Sequence, residues 1–195
     1  SVSIYKQLKL IGNDSGEGLP VINATLSDNA VTISADNSWI EGFNLLRSKK
    51  AGILVVSNNS VIKGNDISTG NHTHGIHIVS SVNITIYDND IRYHINKYGI
   101  YLESSSYNNI TENRFEYTAR GMYLVSSSYN NITYNNISQS GNYGISLDVS
   151  SENNVVYGNT INKGNNGIYI KDSNNNNVLS SNIISNNLIG IHILS

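Results

Sequence analysis

Hydrophobic and polar residues alternate in short runs along this chain, and each regular run begins directly after a glycine. Gly75-Ile-His-Ile, Gly99-Ile-Tyr-Leu and Gly144-Ile-Ser-Leu are three of these runs. A period of two residues is typical of a β-strand that buries one face. The pattern therefore predicts strands whose aliphatic residues point into a core while the residue between them points outward.

The runs recur at a nearly constant interval, which indicates a repeating architecture. Their glycines lie 23, 24, 22, 23, 23 and 23 residues apart, at Gly52, Gly75, Gly99, Gly121, Gly144, Gly167 and Gly190. Two further inward apolar positions are expected in each interval. The first is Val61, Ile84, Ile110, Ile132, Val155 and Val178; the second is Ile67, Ile91, Phe115, Ile137, Ile161 and Ile184. Three short strands per interval at a fixed period indicate a solenoid.

These features predict an all-β fold: a right-handed, single-stranded parallel β-helix of about eight coils, each of about 23 residues with three short strands. We expect residues 1–195 to form one domain, with an opening coil at 1–29 and regular coils at 30–195. Strand patterns run to both ends of the chain, so we expect a part or processed form of a longer surface protein. The glycine at each corner is expected where a Cβ would obstruct the backbone.

Asparagine follows the same period and is expected to form two stacked columns at the turns. Asn tolerates left-handed turn conformations, and amides stacked from coil to coil can hydrogen-bond to one another. One expected column is Asn83, Asn109, Asn131, Asn154 and Asn177, with Ser60 before it; the other is Asn65, Asn89, Asn113, Asn135, Asn159 and Asn182. We interpret both columns as structural.

The coil that begins Gly99-Ile-Tyr-Leu-Glu-Ser-Ser-Ser-Tyr-Asn-Asn-Ile and the one that begins Gly144-Ile-Ser-Leu-Asp-Val-Ser-Ser resemble a known repeat. It is the parallel β-helix repeat of the pectin-lyase-like superfamily, in particular its NosD-like and carbohydrate-binding/sugar-hydrolase branch. That branch is common on archaeal and bacterial surfaces. The resemblance covers essentially the whole chain and implies the fold. The superfamily includes lyases, hydrolases, adhesins and structural proteins, so the resemblance leaves the function open.

Composition excludes several classes of partner. The formal net charge is −2 and only 13% of residues are charged, so neither nucleic acid nor an anionic membrane surface is expected as a partner. No apolar stretch is long enough for a membrane span. Cysteine is absent, which excludes disulfides and thiolate metal sites. We expect no cofactor, and the Asn-, Ser- and Tyr-rich composition favours an extracellular, cell-envelope location.

The outward residues of the first strand in each coil are the main candidates for binding. They are expected to align as a strip of aromatic and polar side chains on one flat face: His77, Tyr98, Tyr101, Arg120, Tyr123, Tyr143 and Tyr169. Tyr rings offer platforms for sugars and for protein contacts. The same rings can also simply stabilise the sheet through neighbouring pairs. Both interpretations stay open at the level of sequence.

Two other kinds of chemistry are weighed against binding. Glu103 and Asp148 share one outward column about 10 Å apart, and with Arg120 they would be the catalytic groups of a polysaccharide lyase or glycoside hydrolase. His72, His74 and His77 lie within six residues and could hold Zn²⁺ or Cu²⁺. The association of NosD-like proteins with copper handling adds to this metal hypothesis. No carboxylate or cysteine completes a recognisable ligand set around the histidines.

The leading prediction from sequence is a non-catalytic structural or interaction protein of the cell envelope. Its expected partners are further copies of itself, through coil ends or faces, and polysaccharides or glycans along the Tyr/His face. A carbohydrate-active enzyme is the alternative, and a metal-binding surface protein is the third hypothesis. Glycosylation is predicted at four Asn-X-Ser/Thr sites: Asn13, Asn23, Asn58 and Asn71.

Overall fold

The structure is a computed structural model that describes residues 1–68, 70, 72–173 and 175–194. Strands in this part of the chain follow one another in coils of three, and every coil places its strands in three separate parallel sheets. The described residues contain no helix. Eight complete coils and the first strand of a ninth are present, so the predicted parallel β-helix of about eight coils is confirmed.

The 25 strands are numbered in chain order and divide among the three sheets. The first sheet comprises β1 (Val2–Ile4), β4 (Asn29–Ile33), β7 (Ala51–Val55), β10 (His74–Val79), β13 (Tyr98–Glu103), β16 (Arg120–Val125), β19 (Tyr143–Asp148), β22 (Asn166–Lys171) and β25 (Ile189–Leu194). The second comprises β2 (Lys9–Ile11), β5 (Trp39–Glu41), β8 (Val61–Lys63), β11 (Thr85–Tyr87), β14 (Asn109–Thr111), β17 (Asn131–Thr133), β20 (Val155–Tyr157) and β23 (Val178–Ser180). The third comprises β3 (Val21–Asn23), β6 (Asn44–Leu46), β9 (Asp66–Ser68), β12 (Asp90–Arg92), β15 (Arg114–Glu116), β18 (Asn136–Ser138), β21 (Thr160–Asn162) and β24 (Ile183–Ser185).

The core is a narrow column of aliphatic side chains enclosed by the three sheets. Each strand of the first sheet contributes two inward residues, such as Ile100 and Leu102, and both are fully buried. Phe115 is the largest fully buried side chain. On β25, the last strand that the structure describes, Ile191 and Ile193 are 48% and 58% exposed.

The predicted inward residues of the second sheet were partly wrong. In three coils the inward residue is the second of two adjacent apolar residues, so Ile62, Val156 and Leu179 point inward rather than Val61, Val155 and Val178. In the fourth coil Ile86 is the inward strand residue, and the predicted Ile84 is buried in the preceding turn. Ile110 and Ile132 point inward as predicted.

Asparagine side chains link successive coils, as predicted for the column of Asn65, Asn89, Asn113, Asn135, Asn159 and Asn182. Within it, the backbone N–H and side-chain amide of Asn113 both donate to Oδ1 of Asn135, at 2.9 and 3.1 Å. The prediction for the other asparagine column was partly wrong. Its buried members are Asn108, Asn130 and Asn154 with Asn177 after them, whereas Asn83, Asn109 and Asn131 are exposed.

Candidate functional site

The outward face of the first sheet brings the predicted binding residues together. Parallel register places His77, Tyr101, Tyr123, Ser146 and Tyr169 in one column. A second column contains Tyr98, Arg120, Tyr143 and Asn166, and a third contains Glu103, Val125, Asp148 and Lys171. The ring of His74 lies beside the start of the second column, 5.0 Å from that of Tyr98. We call His77, Tyr98, Tyr101, Arg120, Tyr123, Tyr143 and Tyr169 the aromatic strip.

Ring contacts run through most of the aromatic strip. His77 stacks on Tyr101 with ring centroids 4.6 Å apart, and Tyr101 stacks on Tyr123 at 5.4 Å. Further along the helix axis, Tyr143 stacks on Tyr169 at 4.3 Å. The sequence predicted outward-facing side chains, but these residues bury part of one another's surface. Tyr169, for example, is only 8% exposed. The face therefore presents packed rings and a few polar atoms rather than separate mobile side chains.

Arg120 lies at the centre of the strip among three tyrosine rings. Its guanidinium carbon is 3.9 Å from the ring centroid of Tyr123, 4.9 Å from that of Tyr143 and 5.2 Å from that of Tyr98. The Nε and Nη1 atoms are buried and have no hydrogen-bond partner among the described residues. Because both atoms are buried beside the rings, Arg120 acts on this face through its positive charge rather than through these two N–H groups.

The two candidate acids lie on either side of Arg120 and are both hydrogen-bonded. Nε2 of His77 is 3.1 Å from Oε2 of Glu103, and the hydroxyl of Tyr123 donates to Oδ2 of Asp148 at 3.2 Å. Burial lowers the pKa of His77, although the contact with Glu103 opposes that shift. Burial also raises the pKa of Tyr123, and it raises the pKa of Tyr101 to about 12, with Glu103 adding to the effect.

The three histidines predicted as metal ligands lie at one end of the aromatic strip. His74 packs against His77 with ring centroids 5.3 Å apart, and burial lowers its pKa to about 3. His72 is exposed in the preceding turn. Within the described ranges, no group of three or more His, Cys, Asp or Glu side chains could hold a metal ion.

Two features of the molecular surface, one beside the histidines and one at the turns, were not predicted from the sequence. Lys49, Lys50 and Lys97 lie beside the histidines and line a cavity with them. Lys50 and Lys97 each precede a first-sheet strand, so their spacing of two coils was a usable signal. Exposed tyrosines at two turns also stack: Tyr107 on Tyr129 at 5.0 Å, and Tyr93 on Tyr117 at 5.6 Å.

The predicted glycosylation sites differ in accessibility. Asn13 and Asn23 are exposed, and Asn58 is half-buried with its Oδ1 accepting a hydrogen bond from the backbone N–H of Val82 at 2.9 Å. Asn71 lies outside the described residues. Glycosylation at all four sites stays a prediction.

The chain belongs to the family described as "Right handed beta helix region", whose model matches residues 11–150 and 51–195. This membership confirms the predicted handedness and the resemblance to pectin-lyase-like β-helices. A search of curated protein sequences returns no significant match. Among the described residues, no helix is long and apolar enough to cross a membrane.

Several solved structures share this fold at low sequence identity. The periplasmic alginate epimerase AlgG is 19% identical with a TM-score of 0.69, over 100% of this chain and 58% of that one. The Azotobacter vinelandii mannuronan C-5 epimerase AlgE6 A-module is 13% identical with a TM-score of 0.68, over 98% and 62%. Tailspike protein 2 from Escherichia coli O157:H7 bacteriophage CAB120 is 15% identical with a TM-score of 0.65, over 88% and 26%. The chain therefore spans about a quarter to three fifths of these proteins.

These comparisons correct the leading prediction from sequence. A non-catalytic structural protein of the cell envelope was ranked above a carbohydrate-active enzyme. The similar solved structures include two epimerases and a tailspike with an enzymatically active domain. The prediction went wrong because the repeat consists mostly of residues that the fold itself requires, and these carry no functional signal.

Proposed function

We propose that this chain is the β-helical part of a carbohydrate-active enzyme and that its polysaccharide substrate lies along the aromatic strip. The names of the solved structures with the same fold support the substrate class, since AlgG is an alginate epimerase and AlgE6 a mannuronan epimerase. The row of Tyr side chains supports the location, because tyrosine combines apolar ring surface with a hydroxyl group that can hydrogen-bond a sugar. An extended polymer fits a surface that repeats once per coil.

The observation that carries the proposal is the position of Arg120 between two hydrogen-bonded acids. Glu103 lies one coil before Arg120 and Asp148 one coil after it, in a neighbouring column of the same sheet. Two coil steps separate the backbones that carry the two acids by about 10 Å, which is close to the wider carboxyl separations of inverting glycosidases. A sugar ring and a water molecule could be accommodated between acids at this distance.

Each side chain then has a chemical role. Glu103 and Asp148 act as general acid and base, and their contacts with His77 and Tyr123 hold the carboxylates in place. Arg120 stabilises negative charge that develops on the substrate through its positive charge, which the three surrounding tyrosine rings hold in place. With an acidic sugar, one of the two carboxylates would take the proton beside the sugar carboxylate, and Arg120 would stabilise the resulting carbanion. A carbon–carbon double bond then forms as the glycosidic C–O bond breaks, and the other acid protonates the leaving oxygen.

The test is activity of the full chain on a panel of neutral and acidic polysaccharides. Release of reducing ends reports hydrolysis, and ultraviolet absorbance of an unsaturated product reports elimination. We expect Glu103→Gln, Asp148→Asn and Arg120→Met each to lower kcat by about 100-fold or more while the fold persists. Glu112→Gln is the matched control, because Glu112 is exposed at a turn remote from the first sheet.

Two results would count against this proposal. If the wild-type chain modifies no member of the panel, the assignment as an enzyme fails. If product forms but all three variants keep wild-type rates, the activity lies elsewhere on the molecule.

We also propose that the protein acts outside the cytoplasm and that the described coils are one folding unit. The first is supported by the periplasmic location in the name of AlgG. The second is supported by three sheets that pair without interruption from β1 to β25. Fractionation of the cells that make this protein, followed by immunoblotting, tests the location.

A further inference from the structure

A cavity of about 330 Å³ opens at the end of the aromatic strip nearest the N-terminus. Every described residue that lines it is a lysine or a histidine: Lys49, Lys50, Lys97, His72, His74 and His77. Parallel register produces this grouping, because β7, β10 and β13 pair in order and Lys50 and Lys97 directly precede β7 and β13. We call this cavity the cationic pocket.

The positive charge of the cationic pocket is only partly compensated by neighbouring acids. Lys50 pairs with Asp28 at 2.7 Å. Within the part of the chain that the structure describes, neither Lys49 nor Lys97 has a carboxylate at ion-pair distance. The chain as a whole has a formal net charge of −2, so this local excess opposes the overall sign. Such a concentration of ammonium groups attracts an anion.

One residue that lines the pocket, His74, is itself largely buried. Nδ1 of His74 is buried and has no hydrogen-bond partner among the described residues. Burial keeps this imidazole uncharged near neutral pH, so one of its ring nitrogens carries a proton that can be donated. His74 therefore lines the cavity as a neutral imidazole with one N–H, and the positive charge of the pocket comes from its lysines.

The same arrangement disfavours a metal ion. A divalent cation held by His72, His74 and His77 would lie among three ammonium groups and would be repelled by them. None of the described residues that line the cavity carries a carboxylate to offset that repulsion. The histidines that suggested metal binding therefore fit an anionic ligand better.

We infer that the cationic pocket binds an acidic substituent, a carboxylate or a sulfate ester, of a polysaccharide whose next sugar lies over Tyr98 and Tyr101. The ring of Tyr98 is 5.0 Å from that of His74, so the pocket and the aromatic strip are continuous. This inference rests on the proposed function, since it assumes that the strip carries the polymer. It adds the requirement that the bound polysaccharide carry a negative charge at one end of the aromatic strip.

The experiment measures calorimetric binding of the full chain to matched oligosaccharides. Oligogalacturonate and its fully methyl-esterified form differ in charge but share a backbone, and a sulfated galactan oligosaccharide tests sulfate. We expect an acidic probe to bind at least 10-fold more tightly than the ester and to weaken as salt is added. Lys97→Met and, separately, Lys49→Met should reduce binding of that acidic probe about 10-fold and leave ester binding unchanged.

Lys171→Met is the control, because Lys171 is an exposed lysine of the same sheet at the other end of the strip. Preference for the uronate or for the sulfated probe identifies the substituent, and either supports the inference. Equal binding of acidic and esterified probes, or unchanged affinity in both lysine variants, would overturn it while leaving the proposed function intact. Failure of every polysaccharide, charged or neutral, to bind would instead overturn the proposed function.

Discussion

At the scale of single residues, buried amides hold the turns of successive coils together. Asn113 shows the arrangement: its side-chain amide donates to the carbonyls of Ile86 and Thr111 and to Oδ1 of Asn135. Its own Oδ1 accepts from the backbone N–H and side chain of Asn89. One side chain thus satisfies polar groups in three coils, and those groups are buried where water cannot replace it.

We predict that Asn113→Ala lowers the free energy of unfolding by about 2–4 kcal/mol, because several buried donors and acceptors lose their partner at once. Asn109→Ala is the matched control. Asn109 is exposed on β14, so its loss should change stability by less than about 0.5 kcal/mol. Urea denaturation followed by circular dichroism measures both. Similar losses of unfolding free energy in the two variants would show that the buried asparagine column adds no special stability.

At the scale of elements, the corner glycines fix how closely one coil approaches the next. The sequence predicted either an unusual backbone conformation or a close approach at these positions, and the structure shows a close approach. A Cβ added to Gly121 would lie 2.6 Å from the carbonyl oxygen of Gly144 and 2.7 Å from a methyl group of Ile137. The first-sheet strands therefore stack through a column of glycines that faces carbonyl oxygens.

We predict that Gly121→Ala destabilises the fold by about 1–3 kcal/mol, since the new methyl group meets backbone that cannot move aside cheaply. The chain contains its own control in the last coil. At Gly190 the nearest atom to an added Cβ is 3.9 Å away, so Gly190→Ala should be neutral or slightly stabilising. Thermal unfolding of the two variants side by side measures the difference. Equal melting temperatures would refute the role of close approach.

At the scale of the whole molecule, the sequence predicted the fold because the 23-residue period constrains every coil in the same way. The prediction failed where two adjacent residues fitted one position equally well. Val61 and Ile62 are both apolar, and Asn108 and Asn109 are identical, so spacing alone could not select the inward member. Pairing with neighbouring strands decides it, and that pairing depends on the register of the whole stack.

The arrangement of the candidate site could be predicted in part for the same reason. Columns of outward residues follow directly from the period, so Arg120, Glu103 and Asp148 could be placed relative to one another. The burial of Arg120 among three rings could not, because it depends on side-chain conformations. Lys49 was missed because it lies in a turn of an earlier coil, where no outward column had been traced.

Lowering the pH should destabilise some coils before others, because the buried histidines are concentrated in neighbouring coils. Burial lowers the pKa of His74 to about 3, and it also lowers the pKa of His94, whose ring nitrogens contact the carbonyls of Thr73 and Ile67. An unfolded histidine titrates near 6.5. Between pH 6.5 and 3 the unfolded chain thus binds more protons, so the stability that these histidines contribute at neutral pH is lost as pH falls.

We predict that protection of backbone amides from hydrogen exchange, corrected for the intrinsic rate, decreases between pH 6.5 and 5 first in the coils around His74 and His94. Solenoid coils contact only their neighbours, so local loss of stability need not spread to β19 or β22. The carboxylates of Asp28 and Glu41 have pKa values lowered by their hydrogen bonds to Lys50 and Lys63. The stability that these two carboxylates contribute is lost only below this range. A change in protection between pH 6.5 and 5 therefore reports on the histidines.

Replacing the histidines separates local protonation from a general effect of acid. In His74→Asn the decrease in protection around β10 and β13 should become shallower, because the variant has no imidazole there to protonate. His72→Asn is the control, since His72 is exposed in the adjacent turn and makes no comparable buried contact. A uniform decrease along all coils, unaffected by His74→Asn, would mean that acid acts on the whole stack. The buried histidines would then have no part in setting where the β-helix begins to open.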